Sequence, residues 1–494
     1  MHILFLTVYF FIIGILIIYG LHRYALIYLY CRGLRENTCV KKEPFCLPRI
    51  TVQLPVYNEP YVIERLVRSV CRIDYPKELL QIQVIDDSDD STKALAERSV
   101  CEARREGFDI EHILRDNRDG FKAGALTEGL RKASGEFIAI FDADFIPHPQ
   151  FLKEALPYFC RQDIGMVQTS WTFENRNSSL LTKIQAMFTE SHITIEQTAR
   201  FKSGRFFIFN GSSGIWRKKC IEESGGWDMD TLAEDLDLSY RAQLNGWKFV
   251  YLKKTLSTGE LPFQMNAFKQ QQKRWVQGTI QVAGKLMPHI IKSRYPLRVK
   301  IEAVLHLTNY LVYLFSLMAS ILMLPSMFLR FNAGWQKSII VDSTLFLVLT
   351  FSVFFYHLSS ILAMRNKNIA RDIIYIPLLM AVSVGLSISN SVAILDAFMK
   401  RRSIFYRTPK YGSVAEGIST ARTRRRLILK EAVPYLEVIF GVYFLYIFFY
   451  AFVNKLYQSL FFLTLFSIGF FYIGILSFFD YSESAPDPNA VLDK

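Results

Sequence analysis

Cysteine is scarce and scattered. The seven residues fall at 31, 39, 46, 71, 101, 160 and 220 of a 494-residue chain, and no two form a C-x-x-C pair. An odd, unpaired set argues against a disulfide framework and suits a reducing compartment. Charge is missing altogether from residues 3–21, a run of Ile, Leu and Phe. That run lacks a basic start and a small-residue cleavage site, which argues against a cleaved signal peptide. Acidic residues are in deficit, 45 against 58 Lys plus Arg, for a net charge of +13. Disordered and fibrous classes are excluded by what is abundant: 51% hydrophobic residues, 15% aromatic, 41 of them Phe.

The apolar residues are concentrated before 30 and after 300. A helix needs roughly 20 apolar residues to cross a bilayer. The first run meets this, and His22, Arg23 and Arg32 trailing it place its C-terminal end in the cytoplasm. Five more apolar stretches follow, at 303–329, 339–363, 373–398, 434–453 and 459–479. The loop 399–430 carries ten Lys and Arg against the single acid Glu416, which marks it as cytoplasmic. Both it and the middle of the chain share that side only if one stretch does not cross. The stretch 373–398 is the candidate, interrupted by Pro377 and diluted by Ser383, Ser387, Ser389, Asn390 and Ser391. It reads as a helix at the membrane interface or lining a cavity. Five crossings follow, with six as the alternative. The excess positive charge sits beside membrane segments, so it points to anionic lipid and a phosphate-bearing substrate rather than nucleic acid. Asn177-Ser-Ser and Asn210-Gly-Ser match the glycosylation pattern, but cytoplasmic placement leaves them unused.

Residues 33–300 have ordinary globular composition, with strands expected at Ile50–Leu54, Ile82–Ile85, Ile110–Leu114 and Glu136–Phe141. Helices are expected between them, over about 59–72, 92–106 and 121–133. This alternation means βαβ units, a Rossmann-like and mostly parallel sheet, with ligands beyond the carboxyl ends of the strands. The segments there are rich in chemistry. Pro55-Val-Tyr-Asn-Glu59 follows the first strand, Asp86 to Asp90 follow the second, a Gly-flanked Lys122 follows the third, and Asp142-Ala-Asp144 follows the fourth. Two carboxylates at i and i+2 of a strand end share a side and repel unless a cation sits between them. Oxygen donors select Mg²⁺ or Mn²⁺, whose shell is completed by substrate phosphates. A solvated acidic turn explains a lone D-x-D equally well; four such features on one sheet edge favour a nucleotide diphosphate site. Glu234 and Asp235 open a stretch with helical spacing, where acids also favour the helix dipole. Gln271, Arg274 and Trp275 share one helical face, suited to a phosphate and a sugar ring, or to anchoring at a membrane surface.

Taken in order, Leu54-Pro-Val-Tyr-Asn-Glu59, Asp86-Asp87, Lys122-Ala-Gly124, Asp142-Ala-Asp144, Glu234-Asp235 and Gln271-x-x-Arg274-Trp275 resemble the D, D, D, Q-x-x-R-W signature of processive family 2 glycosyltransferases. The likeness is strongest to the cellulose synthase-like A branch, the mannan and glucomannan synthases, through strings such as Lys122-Ala-Gly-Ala-Leu126, Phe141-Asp-Ala-Asp-Phe145 and Gly246-Trp-Lys-Phe-Val250. It covers about residues 50–480, and Phe405-Tyr-Arg-Thr-Pro-Lys410 looks like the gating-loop motif of these synthases. The resemblance implies a GT-A-like domain inserted between transmembrane helices. By the same resemblance, Asp235 is the catalytic base. Asp86, Asp87, Lys122, Asp142, Gln271 and Arg274 hold the nucleotide sugar. Asp142 and Asp144 hold Mg²⁺ or Mn²⁺, and Trp275 and Glu234 meet the acceptor. The family's T-E-D triplet reads Ala233-Glu234-Asp235 here, which touches acceptor positioning rather than catalysis.

The expected division is a transmembrane helix over 1–32, a linker over 33–48 and a cytoplasmic glycosyltransferase domain over 49–255. Interface helices over 256–300 and a C-terminal membrane region over 301–494 complete it. The expected partners are a nucleotide sugar, with GDP-mannose or UDP-glucose favoured, a growing glycan and the lipid bilayer. The membrane would be the plasma or inner membrane in a bacterium and the Golgi in a eukaryote. A single-addition glycolipid synthase and a non-catalytic membrane subunit are the competing readings.

Overall fold

The computed structural model describes residues 2–35, 47–332, 338–364, 369–400, 408, 410–412, 425–427 and 432–481. Cys39 and Cys46 lie outside the described residues, as do most of the linker and of the cation-rich loop, including residues 405–407 and 409.

Seven strands form one sheet: β1 (Ile50–Val56), β2 (Leu80–Asp86), β3 (Asp109–Leu114), β4 (Phe137–Ile140), β5 (Ile164–Phe173), β6 (Gly214–Arg217) and β7 (Lys248–Gly259). Their order is β3-β2-β1-β4-β6-β5-β7. The first four are mutually parallel, as their spacing with intervening helices requires. β6 runs antiparallel to both β4 and β5, while β5 and β7 are parallel. The sheet is therefore mixed. β6 escapes a sequence reading because four residues carry no periodicity, and β7 because its two central lysines break the apolar run. β7 also continues to Gly259, past the expected boundary at 255.

Side chains alternate across the sheet and supply two cores. Phe137 and Ala139 join Val52, Leu54, Leu66 and Val100 on one face; Ile138 and Ile140 join Leu126, Phe209 and Trp216 on the other. Each fully buried Phe contributes on the order of 1.5–3 kcal/mol. Covering both faces lets β4 read as an unbroken apolar run, while β1 and β2 interleave their apolar residues with the fully buried Thr51, Gln53 and Gln83. The chain leaves β1 on one side for β2 and returns on the other as β4. The loops after β1 and β4 therefore meet at a topological switch point, where open sheets bind ligands.

Among the described residues five helices are long and apolar enough to cross a bilayer: Leu4–Leu34, Leu311–Arg330, Leu347–Met364, Ala432–Val453 and Leu460–Ser477. The chain is an integral, multipass membrane protein. Ile369–Gly385 and Ser387–Phe398 form a pair bent by 41°, a broken span or a re-entrant loop. This is the stretch diluted by serines. Ile376, Leu379 and Met380 pack with Ile473 in a buried cluster, and Lys183 and Arg176 reach Asp372 at 2.8 and 2.9 Å. The long helix Met265–Lys292 links the sheet domain to these helices, with Lys269 paired to the fully buried Glu437 at 2.8 Å. Val276 and Ile280 of the same helix pack on Ala393 and Ile394.

Two helices touch backbone to backbone through glycine. A methyl group on Gly469 would stand 2.0 Å from the carbonyl oxygen of Ala381. Gly469→Ala should therefore lower stability by about 1–3 kcal/mol through overpacking. Gly284, with nothing within 4 Å of its Cβ position, lies inside the helix Met265–Lys292. Gly284→Ala should raise stability by about 1 kcal/mol through helix propensity. Thermal unfolding in detergent checks both, and a Gly469→Ala protein as stable as the wild type would contradict the close contact.

Candidate active site

Four loops converge at the carboxyl ends of β1, β2, β3 and β4. β4 stops at Ile140, so Asp142 and Asp144 stand in the turn beyond it rather than at alternating strand positions. They do not share a cation. Lys122, from the first turn of the helix Phe121–Lys132, places Nζ 2.5 Å from Asp142 Oδ1 and 3.8 Å from Glu234 Oε1. Lys410 places Nζ 2.8 Å from Asp144 Oδ2 and donates to the Glu260 carbonyl at 2.7 Å. Asp144 also accepts the Glu260 backbone N–H, and the Asp142 N–H donates to Ser212 Oγ at 3.0 Å.

The helix Glu234–Leu244 carries Glu234 and Asp235 in its first turn, where the dipole favours acids. Asp235 Oδ1 accepts the Leu236 N–H at 2.7 Å. Gly211 lets the loop before β6 pass between Asp235 and Lys122. Its φ is +85°, its carbonyl accepts from Lys122 at 2.8 Å, and a Cβ there would lie 2.9 Å from Asp235 Oδ2. Burial, followed by the charge of Glu234, pushes the Asp235 carboxyl up to about 7, and burial raises Glu234 as well. Burial opposes the charge of Lys122, but Asp142 and Glu234 outweigh it and hold its pKa above the ordinary range.

Gln271, Arg274 and Trp275 lie on the helix Met265–Lys292. Arg274 sits in the electrostatic field of Glu234, Asp142, Asp235 and Asp144. Gln271, Trp275 and Asp235 line a cavity of about 490 Å³ that continues along the membrane helices past Tyr313, Ser320 and Ser383. Trp275 is 36% exposed.

Asp86 and Asp87 differ sharply. Asp86 is fully buried (0% exposed), accepting from Ser88 N–H through Oδ1 and paired with His112 through Oδ2. Asp87 is bound by Arg115 at 2.9 Å, and its Oδ1 has no hydrogen-bond partner. Burial pushes Asp87 up to about 6, against the pull of Arg115. Beside it, the Arg118 guanidinium stacks 3.2 Å from the centre of the Tyr57 ring.

Sequence reasoning missed Glu260, which is buried and accepts the N–H groups of Tyr411 and Gly412 at 2.9 Å each. A lone acid after a strand carries no signal. It also missed Arg115, Ser212 and Gly211; the run Asn210-Gly-Ser-Ser-Gly was the available sign of a backbone needing unusual conformations. Among the described residues no group of three or more His, Cys, Asp or Glu could hold a metal alone. Asp142 and Asp144 fit a divalent ion of the kind held by one or two carboxylates and completed by substrate phosphates, since each already accepts a cationic group here.

The raised Asp235 pKa has a stability consequence. The folded state holds this proton more tightly than the unfolded chain, whose Asp titrates near about 3.9. Wild-type stability should therefore fall relative to Asp235→Asn as pH rises from about 4 to about 7, then stay offset. Melting temperatures of the two proteins across pH 4–9 check this. Parallel curves would contradict the buried, acid-crowded environment.

Residues 48–278 match the model described as Glycosyltransferase like family 2. Glucomannan 4-beta-mannosyltransferase 7 of Arabidopsis thaliana is 40% identical over 251 residues, 50% of this chain and 45% of that protein. Glucomannan 4-beta-mannosyltransferase 1 of Oryza sativa subsp. japonica is 39% identical over 252 residues, 50% of this chain and 48% of that protein. The matched region thus spans about half the length of these curated relatives. Among solved structures, the mannosyltransferase PcManGT from Pyrobaculum calidifontis, in complex with GDP-Man and Mn²⁺, aligns with TM-score 0.53 and 20% identity. That alignment covers 79% of this chain and 100% of the other, and speaks to the fold. Set between apolar helices, residues 48–278 are a family 2 glycosyltransferase domain related to the plant glucomannan mannosyltransferases.

Proposed function

We propose that this chain is an inverting hexosyltransferase that extends a β-linked polysaccharide, mannan- or glucomannan-like, from a nucleotide sugar. The observation that carries the reading is the position of Asp235: a carboxyl with an elevated pKa, beside Lys122, opening onto a cavity that runs among membrane helices. Asp235 takes the proton of the acceptor hydroxyl, which attacks the anomeric carbon from the side opposite the diphosphate. A single displacement turns an α-linked donor into a β-linked product. Lys122, Gln271 and Arg274 bind the departing diphosphate as its charge grows. Asp142 and Asp144 would hold Mg²⁺ or Mn²⁺, which supplies further charge neutralisation at the diphosphate. Asp87 faces the base, with Arg118 and Tyr57 beside it, and Asp86 acts through Asp87 rather than by contact. Trp275 offers its indole to the acceptor sugar, with Glu234 near it, and the cavity gives the growing chain a route between the helices.

The catalytic domain lies on the cytoplasmic side by the positive-inside rule, because Lys410, Tyr411 and Gly412, from the cation-rich stretch of sequence 399–430, bond to Glu260 of the domain. The names of the plant relatives favour mannose as the sugar, and GDP-mannose or UDP-glucose is the donor proposed. Purified protein in nanodiscs, given each nucleotide sugar, should release nucleoside diphosphate and form a high-molecular-weight product cleaved by a matching endo-β-glycanase. EDTA should abolish transfer and Mn²⁺ or Mg²⁺ restore it. Asp235→Asn should cut turnover by roughly 10²–10⁴-fold with donor binding retained. Recovery of lipid monoglycosides alone would replace this reading with the single-addition one. No transfer from any donor would support a non-catalytic subunit.

A further inference from the structure

His112 takes no part in the chemistry above, yet both of its ring nitrogens are engaged by carboxylates. It lies on β3 opposite Val84 of β2, and its ring is 4% exposed. Nε2 is 3.0 Å from Asp86 Oδ2, and Nδ1 is 2.7 Å from Glu97 Oε2 on the helix Thr92–Arg105. An ionised carboxylate only accepts, and a neutral imidazole has a single N–H. Both contacts together require the imidazolium. Burial disfavours that charge, but the two carboxylates outweigh it and raise the pKa of His112 above its ordinary value. The other groups facing this pair come from the same helix: Cys101, whose Sγ donates to Glu97 at 3.4 Å, and Arg104, whose charge acts on Glu97.

The far side of Asp86 organises the loop after β2. Asp86 Oδ1 accepts the Ser88 N–H at 2.8 Å, and its carbonyl accepts the Arg115 N–H. Ser88 Oγ accepts the Asn58 N–H at 2.8 Å. Asn58, in the left-handed region at φ +53°, exchanges two hydrogen bonds with Asp89. A continuous chain therefore runs from Glu97 through His112, Asp86 and Ser88 to Asn58, tying the loops after β1 and β2 together. Asp87, with its unpartnered Oδ1, sits between two members of that chain.

We propose that His112 is a positioning residue for the donor: as a cation clamped between Asp86 and Glu97, it fixes the loop that presents Asp87 to the nucleobase, so that nucleotide affinity depends on its charge. This rests on the transferase reading. The sign follows from the clamp. It is intact below the folded-state pKa of His112 and is lost as pH rises through it, whereas Asp87 titrates on the acid side of that window. Loss of the clamp loosens binding without touching Asp235, so it changes the donor KM more than kcat.

The test is binding of GDP and of UDP to the full-length protein in nanodiscs, by calorimetry from pH 6 to 10. Wild type, Glu97→Gln and His112→Gln are compared, with donor kinetics alongside. Glu97 is 53% exposed on a helix surface, so its variant keeps the fold even should His112→Gln lose it. Wild-type Kd should rise about tenfold across an alkaline limb. Glu97→Gln should move that limb down by about one pH unit, because one of the two carboxylates sustaining the cation is gone. His112→Gln should bind severalfold more weakly with no limb, and kcat should change less than twofold in both. Superimposable limbs in wild type and Glu97→Gln would overturn the proposal. If the wild type binds neither nucleotide at any pH, the transferase reading itself falls, and this inference with it.

Discussion

Four carboxylates gathered at one edge of a sheet need cations, and much of the surrounding structure follows from that need. Asp142, Asp144, Glu234 and Asp235 come from two separate segments, and burial makes their mutual repulsion expensive. Lys122 answers Asp142 and Glu234, Lys410 answers Asp144, and Arg274 lies in the field of all four. Removing Lys410 would leave the buried Asp144 without its cation, a larger cost than losing a surface ion pair. On the proposed function, the charges of a metal and a nucleoside diphosphate enter this same balance, and the lysines are the groups that exchange partners when they do.

The second constraint is the membrane. The helix Met265–Lys292 serves both sides: it carries Gln271, Arg274 and Trp275 towards the acids, and Lys269 and Val276 towards the apolar helices. A fully buried Glu437 paired to Lys269 fixes that helix against the C-terminal pair. The cavity lined by Asp235 and Trp275 is thereby continuous with Tyr313 and Ser320 of the helix Leu311–Asn332. A mainly apolar cavity carrying interspersed Tyr, Ser and Asn side chains is a place where polar groups are tolerated at membrane depth.

The sequence exposed what periodicity and spacing encode. β1 to β4 and their helices are legible because Ile, Leu, Val and Phe recur through each short strand and segments of helical length separate them. Lys122, Asp142 and Asp235 are legible because they follow such elements closely. What it hid depends on contacts between distant segments. β6 is a short strand paired on both sides by others, visible only through its register with β4 and β5. Asp86 and Asp87 look equivalent in the chain, yet one turns into the sheet onto His112 and the other meets Arg115. Glu260 gains its place only when residues 410–412 fold back onto it from 150 positions away.

On the proposed function, Lys122 is the group that hands Asp142 over to the donor. The most direct measurement is a cryo-electron microscopy map of the Asp235→Asn protein in nanodiscs with GDP-mannose and Mn²⁺. Diphosphate density is expected within hydrogen-bond reach of Lys122 and Arg274, with the Lys122–Asp142 contact opened and the base beside Asp87. Nucleotide bound elsewhere, or bound there with Lys122 still closed on Asp142, would contradict that expectation.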